Sequence, residues 1–327
     1  MFVEPPPGLL QPEFMEIILM TPPFLKQWIA KHRRYYIPLM LTAGIGGALG
    51  AVGLLFWFQP NSGTLADYEW SRSFRIPAIP RNLSGITYRP ESGTLFLVSN
   101  TPTRVYEITT RGHLIRQIDL VGFYDTEDIV FVEKQTFAVI EEKRRTIIIF
   151  QIFPETKSVR YADCRRIPAL PPRGVNTGLE GLAWDPDTRT FLIAQENQPR
   201  AVFTVPFDSK EGAQEIPALK NLPWFKLGGY SGIYFDRISR RLLILSRKSG
   251  KIKDYDLEGQ EKGSLNLFRF IHGIIRTEGL TIVPGGELYV SSEPDRVDIF
   301  TRPQGKMGKA IGSSNDRFRI VDNGSEQ

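Results

Sequence analysis

From residue 67 onward, apolar residues come in short runs of five to eight, continuous or alternating with polar positions, and Gly, Pro, Asp and Asn punctuate them. The i, i+3, i+4 spacing of an amphipathic helix is almost absent. Period-2 alternation over such short stretches predicts β-strands, and many short strands in series predict a sandwich, a barrel or a propeller.

The runs recur. SGITYRP from Ser84, EDIVFVE from Glu127, EGLAWDP from Glu180, SGIYFDR from Ser231 and EGLTIVP from Glu278 start 43, 53, 51 and 47 residues apart, close to the period of propeller blades. Each is followed by a second run (TLFLVSN, TFAVIEE, TFLIAQEN, RLLILSR, ELYVSSE) and a third (RVYEITT, TIIIFQI, AVFTVPF, IKDYDL, VDIF). Most units add a fourth, such as HLIRQIDL or GSLNLF. The pattern predicts an all-β fold, a β-propeller of about five four-stranded blades. The last unit is one strand short, and WSRSFRIPAI, which lies ahead of Ser84, is the strand expected to complete it and close the ring. Six blades is the alternative. It would need four more strands from 305–327, where only DRFRIVD reads as one.

Ahead of the repeats the pattern changes. Residues 35–58, YYIPLMLTAGIGGALGAVGLLFWF, form 24 uncharged positions, which at about 1.5 Å per helical residue cross a hydrocarbon core of roughly 30 Å. This is the signature of one transmembrane helix. Lys31, His32, Arg33 and Arg34 precede it, whereas QPNSGTLADYEW after it has no Lys or Arg, so the N-terminus is expected in the cytoplasm and the propeller outside it. The run exceeds the apolar core of a cleaved signal peptide. The expected division is a cytoplasmic tail at 1–34, the membrane helix at 35–58, a linker at 59–66, the propeller at 67–304 and a C-terminal tail at 305–327.

Composition narrows the function classes. The chain has 327 residues, 41% of them apolar, enough for a sizeable core. Lys and Arg number 41 against 36 Asp and Glu, and part of that excess lies before residue 35, so no nucleic-acid-binding footprint follows. Cys164 is the single cysteine; it forms no intrachain disulfide and no cysteine metal site, and it reads as a strand residue. No GxSxG, GxxxxGK[ST] or HExxH motif occurs.

The candidate chemistry comes from strand ends. In an antiparallel hairpin the start of the first strand lies beside the end of the second. The first-strand starts carry Ser84, Glu127, Glu180, Ser231 and Glu278, and the second-strand ends carry Asn100, Glu142, Glu196, Arg247 and Glu293. First strands line a propeller's channel, so these ten side chains are expected at one channel mouth. The six glutamates, Glu127, Glu142, Glu180, Glu196, Glu278 and Glu293, are the candidate metal ligands, and Ser84, Asn100, Ser231 and Arg247 the polar remainder. Clustered carboxylates invite a cation, and oxygen ligands without His or Cys suit Ca²⁺ best. Two other readings stand beside it: carboxylates accepting inter-blade backbone N–H bonds, and a carboxylate network around Arg247.

The order NLSGITYRPESGTLFLVSN, TEDIVFV, FAVIEEK, GLEGLAWDP, AQENQP, YSGIYFD, LLILSR, ELYVSSEPDR resembles the SdiA-regulated, YjiK-like family of bacterial membrane-anchored propellers over roughly residues 75–302. GLEGLAW and SSEPDR are its most specific parts. The resemblance implies a single-pass protein of the bacterial plasma (inner) membrane whose propeller lies in the periplasm or outside the cell. It implies no established activity. The bilayer is then one partner, and an extracytoplasmic protein or small-molecule ligand at the propeller face another. A fold-level analogy to calcium-dependent propeller esterases, lactonases and phytase-like proteins supplies the alternative, a Ca²⁺-dependent hydrolase. There Glu127, Glu180, Glu278 and Glu293 would hold the ion, and Glu142, Glu196 or His272 would be the base.

Overall fold

The computed structural model describes residues 64–169, 178–196, 201–210, 214–215, 229–270 and 276–303. They form five antiparallel blades. Strand β1 (Glu69–Arg75) comes first in the chain. Blade I follows with β2 (Leu83–Arg89), β3 (Thr94–Ser99), β4 (Arg104–Thr109) and β5 (Leu114–Val121). Blade II begins with β6 (Thr126–Glu133), β7 (Thr136–Glu141) and β8 (Thr146–Gln151). The chain then gives a short β9 (Ser158–Arg160) before β10 (Arg165–Pro168) returns as the outer strand of blade II. Blade III is β11 (Leu179–Asp185), β12 (Thr190–Gln195), β13 (Ala201–Pro206) and β14 (Gln214–Glu215). Blade IV is β15 (Tyr230–Asp236), β16 (Arg241–Ser246), β17 (Lys251–Asp256) and β18 (Glu261–Asn266). Blade V is β19 (Thr277–Ile282), β20 (Leu288–Ser292) and β21 (Arg296–Thr301), completed by β1.

β1 runs antiparallel to β21 from Glu69↔Thr301 to Arg75↔Arg296, so the first strand closes the last blade as the repeats require. Closure leaves no open edge between the last unit and the first.

The second strands read as unbroken apolar runs because both of their faces are buried between neighbouring blades. On β3, Phe96 and Val98 pack toward blade II, while Leu95 and Leu97 pack toward blade V. On β7, Phe137 and Val139 face blade I, and Ala138 and Ile140 face blade III. The core is therefore five separate apolar layers, one per junction, rather than a single interior. Leu65 and Tyr68, just before β1, are buried in the layer between blades IV and V.

The uniform four-strand expectation needs one correction. β9 leaves blade II and pairs in parallel with β5, Asp119↔Ser158 to Val121↔Arg160, which makes blade I five-stranded. Val159 carries it into the core between blades I and II, so β9 straps that junction from outside. Cys164 is also corrected: it is buried in the bend ahead of β10, outside any strand. Among the described residues no helix is long and apolar enough to cross a membrane. The expected tail, membrane segment, His272 and C-terminal tail fall outside the described residues.

Candidate functional site

One local device builds the mouth in every blade. The pairing of first and second strands slips by a residue between Leu83 and Ile86, Thr126 and Asp128, Leu179 and Gly181, Tyr230 and Gly232, and Thr277 and Gly279. The residues left out of register include Ser84, Glu127, Glu180, Ser231 and Glu278, the five side chains read from the repeats. A β-bulge re-aims the extra residue, and here the repeated bulge turns those side chains toward the channel.

A second device fixes the partner residues. Directly after each second strand, the N–H of Asn100, Glu142, Glu196, Arg247 and Glu293 donates to the carbonyl of Asn82, Asp125, Gly178, Gly229 and Arg276, at 3.1, 3.0, 2.8, 3.1 and 2.9 Å. Those acceptors form a third tier that strand-end reasoning missed. Asn82, Asp125, Gly178 and Gly229 have φ of 53°, 60°, 41° and 62°, a left-handed backbone that Asn, Asp and Gly tolerate best. The signal stood in the sequence as N, D, G and G two residues before the repeated Ser or Glu.

Below the bulges the channel wall is glycine, at Gly85, Gly181, Gly232 and Gly279, except in blade II, where Asp128 stands. Gly279 lies so close to Gly85 that an added Cβ would sit 2.8 Å from the Gly85 Cα, and one on Gly85 would strike the Asp128 carboxylate. Asp128 is fully buried and accepts from Ile129 N and Leu182 N, both at 2.8 Å, the latter across the junction to blade III. It is the residue that carries the inter-blade backbone bonding expected of the glutamates.

The mouth is a cup of about 260 Å³, walled by Ser84, Asn100, Glu127, Glu142, Glu180, Glu196, Arg247 and Glu293, with Asn82. Ser231 is buried, its hydroxyl without a partner among the described residues, and Glu278 lies against Arg247. Nine of the ten expected residues thus converge, and they divide into unlike halves.

In the half formed by blades III to V, Arg247 is the centre. Its Nη1 donates to Glu278 Oε1 at 2.9 Å and Oε2 at 3.2 Å, and its Nη2 donates to Glu196 Oε1 at 2.9 Å. Burial pushes Glu278 up to about 7 even with the guanidinium pulling it down. Glu293 pairs instead with the exposed Arg276 at 3.0 Å.

In the half formed by blades I and II, Asp125, Glu127 and Glu142 each place a carboxylate oxygen within 4.8 Å of the others. Asn100 Nδ2 donates to Asp125 Oδ1 at 2.8 Å and to Glu127 Oε1 at 3.0 Å. Burial and then the neighbouring Asp125 and Glu142 drive Glu127 up to about 8; burial and Asp125 drive Glu142 to about 7. Glu180, 7% exposed, lines the cup between the two halves, and among the described residues no hydrogen-bond donor reaches its carboxylate. Burial, followed by Glu127 and Glu196, raises it well above the usual range. The residues that could hold a hard cation are therefore Asp125, Glu127 and Glu142 with Glu180. Glu196, Glu278 and Glu293 already have arginine partners.

Histidine does not enter the cup among the described residues: His113 sits in the β4–β5 turn, at the far end of the strands. A histidine base beside the carboxylates has no support there.

Solved structures similar to this chain include two at low identity. One is from a nidogen/laminin complex, at 14% identity over 65% of this chain and 72% of that one, with a TM-score of 0.44. The other is a catalytically inactive virginiamycin B lyase from Staphylococcus aureus with quinupristin, at 14% identity over 67% of this chain and 66% of that one, with a TM-score of 0.41. Neither lends its activity or its ligand to this chain. The SdiA-regulated family model matches residues 60–301, a span that takes in all five blades and the whole mouth. The chain belongs to the SdiA-regulated family.

Proposed function

We propose that this protein is a single-pass, membrane-anchored propeller that works outside the cytoplasm as a binding module, its mouth capturing a divalent cation. Ca²⁺ suits the donor set best. The observation that carries the reading is the imbalance within the mouth. Three carboxylates gather within 4.8 Å on blade II and the loop leading into it, and the buried Glu180 beside them has no hydrogen-bond donor among the described residues, while the other half has its own arginine. Like charges held that close in a partly buried site favour a shared proton or a cation, and Lys143, 3.2 Å from Asp125, pairs with one of the three. Carboxylate and amide oxygens from Asp125, Glu127, Glu142, Glu180 and Asn100 are the ligands a hard cation takes. A cation there would complete the cup and make it a place where a partner or a small polar ligand could coordinate.

The anchor rests on the uncharged run 35–58 and the basic cluster before it. Membrane fractionation, with protease digestion of spheroplasts, tests it: cleavage of the propeller from outside supports the orientation, and full protection that detergent lysis removes overturns it. The cation is tested by thermal unfolding of the full chain in detergent, in EDTA and in excess Ca²⁺ or Mg²⁺. A ligand bound by the folded state alone raises the transition by mass action. The expected result is a clear rise with Ca²⁺ that Glu127→Gln and Glu180→Gln abolish. No rise with either ion overturns the reading.

A further inference from the structure

Lys143 follows Glu142 on the turn between β7 and β8, so a candidate ligand and a cation share one turn. Its Nζ stands 3.2 Å from Asp125 Oδ2 and 3.4 Å from Tyr124 Oη, and 4.8 Å from the centre of the Tyr124 ring. The side chain is 53% exposed, whereas the Asp125 side chain is only 12% exposed. A solvated ammonium thus rests on a nearly buried carboxylate of the three-carboxylate cluster.

The neighbouring Arg144 shows the contrast. It turns inward, pairing Nη1 with Glu141 Oε1 and Oε2 at 3.0 and 2.9 Å, donating to the Gly122 carbonyl at 3.1 Å, and stacking 4.4 Å from the Tyr161 ring. Arg144 satisfies a carboxylate that is fully buried. Lys143 fills no such structural need, since Asp125 also has Asn100 at 2.8 Å. Its one distinctive contact is with a member of the cluster that a divalent cation would use.

We propose that Lys143 is the mouth's resident counter-ion, a tethered ammonium that an incoming divalent cation displaces from Asp125, and that this competition sets the affinity of the site. The inference rests on the cation reading of the mouth. Lys143 and the metal cannot share Asp125 Oδ2 at hydrogen-bonding and coordination distance together, because two cations brought that close repel. On displacement the ammonium keeps the face of Tyr124 as an alternative seat.

The experiment is calorimetric titration of the full chain in detergent with Ca²⁺, for the wild type, Lys143→Gln, Asp125→Asn and the double variant. Lys143 lies on an exposed turn, so its replacement leaves the fold intact. Lys143→Gln is expected to bind Ca²⁺ about fivefold more tightly, the scale of one lost exposed ion pair. In the Asp125→Asn background the same change is expected to do little, since the competition runs through that carboxylate. Unchanged or weaker binding by Lys143→Gln overturns the proposal while the cation site stands. Equal tightening in both backgrounds also overturns it, because it would reflect only the general field of a removed charge. Binding by neither wild type nor Lys143→Gln overturns the cation reading itself.

Discussion

The two halves of the mouth are made by the same repeat, the same bulge and the same closing backbone bond, yet they reach opposite electrostatic states. Around blades III to V, one guanidinium spans Glu196 and Glu278. Around blades I and II, the positions equivalent to Arg247 are Asn100, which donates to two carboxylates but brings no positive charge, and Glu142, which adds a negative one. The difference lies at one position of the repeat, arginine in blade IV against asparagine in blade I and glutamate in blade II. It decides whether the carboxylates nearby are neutralised by a guanidinium within the mouth or are left to the exposed Lys143, which reaches only Asp125, and to a cation from solution.

The largest effect is expected from Arg247→Ala. Removing it strands two buried carboxylates, at a cost of about 3–5 kcal/mol, read as a lower midpoint in denaturant. If the loss is under about 1 kcal/mol, the arginine half is no more self-sufficient than the other. Asp128→Gly comes next, at about 2 kcal/mol, because it removes an acceptor for two buried N–H groups. Asp128 is satisfied by backbone, so this loss should be equal in EDTA and in Ca²⁺, which separates it from the cluster just above.

The dependence on pH sharpens the comparison. Glu127 and Glu142, near 8 and 7 when folded, lie above their ordinary value of 4.5, so the folded state binds protons that the unfolded state has released. In EDTA, stability is expected to be flat below pH about 4.5 and to fall as pH rises toward 8, chiefly through Glu127, because the half-buried Glu142 is screened. Saturating Ca²⁺ should flatten the share of Glu127 and Glu142, while Glu278, raised to about 7 by burial, keeps its own fall of the same sign. Asp254, buried in blade IV and raised to about 6 mainly by that burial, adds a smaller fall of the same sign that Ca²⁺ leaves untouched. Glu127→Gln should stabilise the chain in EDTA by about 1 kcal/mol by removing one of three crowded charges. The smallest effect is Glu293→Gln, which breaks only an exposed pair with Arg276 and should cost under about 1 kcal/mol.

The blade count, the ring closure and the ten mouth positions were legible in the sequence because each is written locally. A strand of five to eight residues carries its own pattern, and repetition at a fixed interval supplies the register between units. What was hidden depends on contacts between units. Asp125 precedes its strand and joins the mouth only through its left-handed backbone. Asp128 was visible as the odd member among four glycines, but its bond to Leu182 crosses to the next blade. The strap β9 is SVR, three residues with too little pattern to declare a partner. The six glutamates looked equivalent in the repeats, and only the reach of Arg247 and Arg276 showed which of them already had a cation.

The pairing of β1 with β21 has a bearing on how the ring is made in the cell. Among the described strands β1 leaves the ribosome first, and its partner β21 leaves last. Until Arg296–Thr301 is synthesised, the exposed Glu69–Arg75 has no place to go, and the layer holding Leu65 and Tyr68 lacks one wall. Four blades can gather along the nascent chain, but the ring shuts in one late step that joins its two ends. A chain stopped before Arg296 would keep every mouth residue and still lack the clasp that holds them in a circle.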